Sequence, residues 1–182
     1  MKPKLLILDI DETLLHSSRR GLRGVHDFLL GNYYVYLRPF ARELLTFCMA
    51  RFRVAVWTSS SRNYALGAMH RVLPPDFPLE FLWSRQRCVE VFREETQEVE
   101  HIKDLRDVEN LGYGLGQIIF VDDTPRKLQR QPENLLTISP FLGSPDDREL
   151  LALMEFLEHV RGFDDIRLVD KSGWEERLRK RE

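Results

Sequence analysis

Three short apolar runs stand out along the chain, and each ends abruptly in a cluster of polar residues. The runs cover residues 5–8, 52–57 and 117–121, and the clusters that follow them read DIDET, TSSS and DDTP. Continuous apolar runs of this length are typical of strands buried on both faces. We therefore predict three buried β-strands, each with polar residues at its carboxyl end.

The segments beside these strands have the period of amphipathic helices. Residues 38–52 repeat apolar side chains near helical spacing behind Pro39, which suits a first helical turn. Residues 60–73 begin with serines and end before two prolines. Residues 144–162 have aspartates near the start and glycine at the end, and their predicted buried face comprises Leu150, Leu151, Met154, Leu157 and Val160. Alternating strands and helices predict an α/β fold with a parallel sheet flanked by helices.

Three other regions are less regular. Residues 24–39 alternate weakly around Gly31 and Asn32, so we expect a small hairpin inserted after the first strand. Residues 79–105 fit two or three short strands, although their charged part also fits a helix. Residues 174–182 fit a short amphipathic helix with Trp174 and Leu178 on one side.

The polar clusters indicate a metal site. Ligands of open parallel sheets bind beyond the carboxyl ends of the strands, where Asp9, Asp11, Asp122 and Asp123 would meet. Carboxylates this close repel each other unless a cation or a shared proton holds them. Mg²⁺ binds one or two carboxylates while it keeps water and phosphate oxygens as further ligands. We therefore expect Mg²⁺ at this edge of the sheet.

The same residues suit phosphate chemistry. A carboxylate can attack a phosphoryl group when a cation neutralises the phosphate oxygens. Thr58 offers a hydroxyl and the backbone N–H groups after it, and Lys103 could complete the cradle. Taken singly, the aspartate pairs also fit turns, the serines a helix cap and the lysine a solvated surface charge. Their common place at one end of the sheet favours the phosphate site.

Several motifs carry a family resemblance. LLILDIDETLLHS resembles the first motif of the haloacid dehalogenase (HAD) phosphatases, DxDx(T/V) behind a hydrophobic strand, and its DETLLHS form is similar to the carboxy-terminal-domain (CTD) phosphatase branch, also called NLI-interacting-factor-like. LRPFARELLTFC, VAVWTSSSRNYA, RQRC, IKDL and IIFVDDTPRKLQRQPENLLTISPF follow in the order of that branch. The tail, with GWEERLRK, is most similar to the variant that elsewhere carries a ubiquitin-like domain, and no such domain fits here. The resemblance implies a HAD-like Rossmannoid sheet with small β insertions and no large cap, in a single domain over residues 1–182.

The resemblance also implies the catalytic roles. Asp9 would be the nucleophile that forms an aspartyl-phosphate. Asp11 would protonate the leaving alcohol and then activate water. Thr58 and Ser59 would bind the phosphoryl group, and Lys103 would stabilise its charge.

The resemblance assigns the remaining site residues to the metal and the phosphate. Mg²⁺ would be held by the nucleophile, by Asp122 and by the backbone carbonyl of Asp11, with Asp123 in the outer shell. Arg85, in the segment that ends at RC, matches an arginine that the branch uses near the phosphate. Arg87 is its rival in the same segment.

Composition sets limits on the setting of the protein. A chain of 182 residues with 43% hydrophobic residues is long enough for one domain with a sizeable core. The net charge of -2 and the pI near 6.2 give no general basic field for nucleic acid. Cys48 and Cys88 lack a CxxC pattern, which favours reduced thiols in the cytoplasm or nucleus. The first apolar run is too short for a signal peptide or a membrane span, so we expect a soluble protein. We also expect a monomer.

These observations leave three functions open. The first is a Mg²⁺-dependent phosphomonoesterase, a phosphoserine or phosphothreonine protein phosphatase whose open crevice accepts a phosphorylated protein or peptide. The 24–37 hairpin would then be either a docking wall or simple edge-strand core. The second is a phosphatase of nucleic-acid 3′ ends, which local arginines such as Arg126 and Arg130 keep open. The third is a non-catalytic phosphate-binding scaffold.

Overall fold

The computed structural model describes residues 3–174 of the chain. Within them lie the strands β1 (Leu5–Leu8), β2 (Leu15–Ser18), β3 (Phe28–Leu30), β4 (Tyr33–Leu37), β5 (Arg53–Trp57), β6 (Leu79–Trp83), β7 (Val89–Arg93), β8 (Glu98–Ile102), β9 (Ile118–Asp122) and β10 (Leu135–Thr137). The α-helices are α1 (Ala41–Met49), α2 (Arg62–Val72), α3 (Arg106–Glu109) and α4 (Glu149–Val160). None of the helices in these residues is long and apolar enough to cross a membrane.

A five-stranded parallel sheet in the order β10-β9-β1-β5-β6 forms the centre of the fold. The three strands predicted from the apolar runs are its middle three, and β1 is buried along its whole length. Successive side chains of a strand face opposite sides of the sheet. Leu6 and Leu8 accordingly join the core formed with α1, α2 and α4, whereas Leu5 and Ile7 join the core on the other face. The prediction of an α/β parallel sheet flanked by helices is confirmed.

The register of this sheet places the site. Leu8 pairs with Val56 of β5 on one side and with Val121 of β9 on the other. The three strands therefore end level with one another, and the residues that follow them share one edge. We call this edge, formed by residues 9–12, 58–61 and 122–125, the catalytic edge, because the residues expected to carry catalysis fall on it.

Two of the helices begin later than the sequence predicts. Phe40, with a φ of 67°, precedes the first residue of α1, so Pro39 lies outside the first turn. Helix α4 begins at Glu149, because Asp147 is held in the preceding loop by a hydrogen bond of 2.9 Å from Arg38 Nε. The buried face of α4 also differs from the prediction, since Leu151 and Met154 are half-buried and the face comprises Leu150, Leu153, Phe156, Leu157 and Val160.

Two small antiparallel sheets are inserted between the parallel strands. The predicted hairpin is present as β3 and β4 around Gly31, whose φ of 58° favours glycine, and β2 adds an unpredicted third strand. Residues 79–105 form three strands, of which β6 joins the central sheet while β7 and β8 pair with each other. The alternative of a helix for the charged part of this region is wrong. The predicted tail helix falls on residues outside the described range, except for Trp174, whose indole Nε1 donates to the Thr137 carbonyl at 2.9 Å.

Candidate active site

A buried lysine joins the first and third strand ends. Lys103 Nζ donates to Asp9 Oδ1 and to Asp122 Oδ2, each at 2.6 Å, and all three side chains are 0% exposed. Backbone hydrogen bonds fix Asp9 and Lys103 in place. Asp9 N donates to the Val121 carbonyl at 3.0 Å, and Lys103 N donates to the Lys127 carbonyl at 2.7 Å. Lys103 is therefore not the solvated surface charge that its isolated position in the sequence allowed.

The electrostatics of this group favour a further cation. Burial raises the pKa of the Asp9 carboxyl to about 7, and Asp122 adds to the rise although Lys103 opposes it. Burial also disfavours the charge of Lys103, but Asp9 and Asp122 outweigh that cost and raise its pKa above the ordinary value. One ammonium therefore faces two carboxylates, which leaves an excess of negative charge when both are ionised.

A third carboxylate completes an acidic group at the same point. Asp9, Asp122 and Asp123 each offer an oxygen within 4.8 Å of the others. Burial and the charge of Asp122 raise the pKa of Asp123, while Lys127 opposes the rise. Asp9 Oδ2 is buried and has no hydrogen-bond partner among residues 3–174. Three carboxylates that gather at one point fit a hard divalent cation such as Mg²⁺.

Asp11 lies in a separate hydrogen-bond network. Its Oδ2 accepts from Ser60 Oγ at 2.6 Å and from Thr58 Oγ1 at 3.4 Å, and its Oδ1 accepts from the Tyr64 hydroxyl at 2.5 Å. The Tyr64 hydroxyl oxygen also accepts a hydrogen bond from Ser17 Oγ at 2.9 Å. Asp11 is not among the carboxylates whose oxygens lie within 4.8 Å of one another, and its oxygens are held by hydroxyl donors.

The loop after β5 supplies the hydroxyl groups. Thr58 is buried, its N–H donates to the Trp83 carbonyl at 3.0 Å, and its Oγ1 accepts from Ser60 N at 3.0 Å. The cap of α2 is Ser61, whose Oγ accepts from Tyr64 N at 3.4 Å. The alternative that the serines of this cluster cap a helix is confirmed at Ser61, whereas Thr58 comes before the cap and lies on the catalytic edge.

Of the two candidate arginines, Arg85 lies against this loop. Its side-chain Nε donates to the Ser59 carbonyl at 2.7 Å, and its backbone N–H donates to the Ser60 carbonyl at 3.0 Å. Arg87 instead places its guanidinium carbon 4.9 Å from the centre of the Trp83 ring. The side chain of Arg85 is exposed, so its remaining guanidinium donors are accessible beside the crevice.

Sequence reasoning did not identify Ser60 and Tyr64 as partners of Asp11. Ser60 belongs to the TSSS cluster, so the sequence indicated a hydroxyl group there but did not show that it donates to Asp11. Tyr64 lies in α2 among apolar residues, where an aromatic side chain is typical of core packing. Only the approach of α2 to the first loop shows its contact with Asp11.

Residues 4–167 match the model of one protein family, described as NLI interacting factor-like phosphatase. Among curated proteins, "Probable C-terminal domain small phosphatase" of Dictyostelium discoideum is 34% identical to this chain. The aligned region spans 91% of this chain and 53% of that protein. "CTD small phosphatase-like protein 1" of Caenorhabditis elegans is 30% identical and covers 90% of this chain and 33% of its own. The chain therefore spans about half, or less, of the length of these relatives.

The fold is shared with solved phosphatase structures. The fission yeast RNA polymerase II CTD phosphatase Fcp1, solved as the R271A variant bound to beryllium fluoride, has a TM-score of 0.59 with 16% identity. The match covers 99% of this chain and 50% of that one. At this identity the likeness shows the HAD-like fold expected from the motifs. The closer resemblance of the tail to the variant with a ubiquitin-like domain stays a prediction.

Proposed function

Because this chain belongs to the NLI interacting factor-like phosphatase family, we propose that it is a Mg²⁺-dependent phosphomonoesterase that acts on phosphoserine or phosphothreonine in proteins. The observation that carries the proposal is the difference in hydrogen bonding between the two carboxylate oxygens of Asp9. Its Oδ1 is fixed by Lys103 at 2.6 Å, while its buried Oδ2 has no partner among residues 3–174. A carboxylate that is fixed through one oxygen and unpaired at the other supports its assignment as the nucleophile.

In the first step, Asp9 Oδ2 attacks the phosphorus atom of the ester. An O–P bond forms to the carboxylate, the bond from phosphorus to the ester oxygen breaks, and the leaving oxygen takes a proton from Asp11. The product is an aspartyl-phosphate and a free hydroxyl on the peptide. Lys103 holds the nucleophile in place and keeps a positive charge beside the phosphoryl oxygens.

In the second step, water attacks the aspartyl-phosphate and gives its proton to Asp11. The O–P bond to Asp9 breaks, and inorganic phosphate leaves. The hydroxyl groups of Ser60 and Tyr64 can donate to a carboxylate or accept from a protonated carboxyl. They therefore hold the Asp11 side chain in one orientation through both steps.

The remaining residues bind the phosphoryl group and the cation. Thr58 and the backbone of Ser59 line the crevice beside Asp11, and Arg85 is anchored to the same loop. Mg²⁺ would be held by the Asp9 carboxylate, by Asp122 and by the backbone carbonyl of Asp11, with Asp123 beside it. When bound, the cation neutralises the phosphate oxygens that would otherwise repel the nucleophile.

The names of the relatives favour a protein substrate. Fcp1 is described as an RNA polymerase II CTD phosphatase, so at least one protein of this fold acts on a phosphorylated protein tail. The catalytic edge of this chain carries only small β insertions, which fits a substrate that lies across an open crevice. We therefore place a phosphorylated peptide segment there.

Phosphate release decides between the candidate functions. The substrates are phosphoserine and phosphothreonine peptides, an oligonucleotide with a 3′-phosphate and a small aryl phosphate, each tested with Mg²⁺ and with EDTA. We expect Mg²⁺-dependent release from the peptides and from the aryl phosphate. Release from the oligonucleotide alone would favour the nucleic-acid function, and no release from any substrate would favour the scaffold.

A further inference from the structure

A cavity opens beside the catalytic edge. It has a volume of about 410 Å³, and its lining includes Ser59, Glu100, His101, Thr124, Arg126 and Lys127. Ser59 follows Thr58, and Thr124 follows the acidic pair 122–123, so the cavity adjoins the phosphate site. Strand β8 contributes the opposite wall through Glu100 and His101. We call this space the basic cavity.

Lys127 gives the basic cavity a half-buried cation. Its side chain forms no hydrogen bond or ion pair with any residue from 3 to 174. An ammonium group that is half-buried and not ion-paired attracts an anionic ligand.

Arg126 adds a second cation, and the one acid in the lining is already paired. Glu100 Oε2 accepts from Arg93 Nε at 2.8 Å, and its Oε1 accepts from Arg126 Nη1 at 3.4 Å. The Arg126 side chain is 75% exposed, and a long ion pair on the surface contributes little, so its guanidinium can exchange Glu100 for a ligand. The balance of charge in the lining is therefore positive.

His101 presents an unsatisfied polar atom in the same wall. Its Nδ1 is buried and has no hydrogen-bond partner in the described part of the chain. Buried polar atoms in folded proteins are nearly always satisfied, so the His101 ring leaves hydrogen-bonding capacity unmet beside the cavity.

From these observations we propose that the basic cavity binds an acidic group of the substrate, a carboxylate or a second phosphate, carried by a residue next to the one that is dephosphorylated. The inference rests on the proposed phosphatase function and adds a sequence preference to it. Adjacent α-carbons in a peptide lie about 3.8 Å apart, so a neighbouring side chain can reach a cavity that adjoins the phosphate site.

The surroundings favour an acidic peptide over a nucleic acid. The β7–β8 hairpin that forms one wall carries exposed Glu94, Glu95 and Glu98. A continuous polyanion would be repelled by these carboxylates, because nucleic-acid binding depends on many phosphate contacts. A single acidic side chain needs only the cations inside the cavity.

The test compares matched phosphoserine peptides that differ at one flanking position. Glutamate, phosphoserine and glutamine are placed in turn at each of the two positions on either side of the target, and kcat/KM is measured at low salt. We expect at least one position where both acidic residues exceed glutamine by about 10-fold, a preference that falls as salt is added. The ranking of glutamate against phosphoserine tells which source of the anion the cavity prefers.

Variants connect the preference to the cavity. Lys127→Gln should bring the ratio of acidic to neutral peptide to within about 2-fold of unity, and Lys127→Glu should invert it. Arg126→Gln should lower the ratio in part. Arg53→Gln is the matched control, because Arg53 begins β5 at the opposite end of the sheet and its loss should leave the ratio unchanged.

The outcomes separate this proposal from the proposed function. Equal turnover of acidic and neutral peptides by the native chain overturns the basic cavity as a subsite and leaves the phosphatase intact. A preference that survives in a folded Lys127→Gln variant also overturns it. Loss of all turnover, that of the aryl phosphate included, overturns the phosphatase and the subsite together, and preference for the oligonucleotide overturns the peptide ligand.

Discussion

The Tyr64 hydroxyl donates a hydrogen bond of 2.5 Å to Asp11 Oδ1, which ties helix α2 to the first loop of the catalytic edge. Burial, and then the negative charge of Asp11, raises the pKa of Tyr64, so the phenol stays protonated as a donor. A short bond fixes the orientation of the Asp11 carboxylate, which we propose passes a proton to the leaving oxygen. Tyr64 would therefore act on the reaction through Asp11.

Tyr64→Phe should therefore lower kcat more than it raises KM. A hydrogen bond to a charged group is worth about 1.5–3 kcal/mol, which corresponds to a loss of roughly 10- to 100-fold. The measurement is kcat and KM for the aryl phosphate across pH, where the acidic and basic limbs should move. Ser17→Ala is the control, because it removes only the other partner of the phenol, and an unchanged rate and pH profile in Tyr64→Phe would remove Tyr64 from the mechanism.

Lys103→Met should damage both stability and turnover. Removal of one partner from a buried ion pair costs about 3–5 kcal/mol, and here two buried carboxylates lose their shared cation. We expect a matching loss in the free energy of unfolding by urea, part of which added Mg²⁺ restores because it binds only the folded acids. At saturating Mg²⁺, kcat/KM should still be reduced, and the reduction should correspond to a loss of about 2–4 kcal/mol of transition-state stabilisation. Native stability and turnover in this variant would contradict the assignment of Lys103.

Asp122→Asn should weaken the binding of Mg²⁺ more than the binding of substrate. Asp122 is expected to bind the cation and not the substrate, so its loss should raise the Mg²⁺ concentration for half-maximal rate by roughly 10-fold or more, the scale of effects known for metal-site partners. The KM for the aryl phosphate at saturating Mg²⁺ should change less. The result is read from rates over a Mg²⁺ titration, and an unaltered half-saturation point would exclude Asp122 from the metal site.

Arg38→Ala tests the support of the first loop. Arg38 is fully buried and donates to the Thr13 carbonyl at 3.3 Å, to Asp147 Oδ1 at 2.9 Å and to Glu149 Oε2 at 3.1 Å. Its loss leaves the two acids without their cation, so the free energy of unfolding should fall by about 3–5 kcal/mol.

The control for Arg38→Ala is Arg51→Gln. Arg51 pairs with Glu158 at 2.7 Å on the surface, where both side chains are more than a third exposed. Exposed pairs contribute about 0–1 kcal/mol, so this variant should unfold close to the native chain. A loss in Arg38→Ala no larger than in the control would contradict the role of the buried network.

The strand ends were predictable because they depend on local pattern. Apolar runs mark strands that are buried on both faces, and parallel strands bring their carboxyl ends together, so Asp9, Thr58 and Asp122 follow from sequence and topology. Lys103 was a candidate from chemistry, but its burial between Asp9 and Asp122 depends on the packing of residues distant in sequence.

The parts that were missed depend on long-range contacts. Strand β2, with the sequence LHSS, has no apolar alternation and forms only because β4 pairs with it. Helix α4 starts late because Arg38, more than one hundred residues earlier, holds Asp147 in the loop. The network of Asp11 with Ser60 and Tyr64 likewise requires α2 to approach the first loop, which no local pattern shows.

The central claim is that Asp9, fixed by Lys103 at the end of β1, attacks phosphorus with its free carboxylate oxygen. Its most direct test is the rate of phosphate release by Asp9→Asn beside the native chain, at saturating Mg²⁺, with circular dichroism and thermal unfolding to verify the fold. We expect a folded variant with no measurable turnover of the phosphopeptide or the aryl phosphate, against Mg²⁺-dependent release by the native chain. Turnover by folded Asp9→Asn near the native rate would contradict the account.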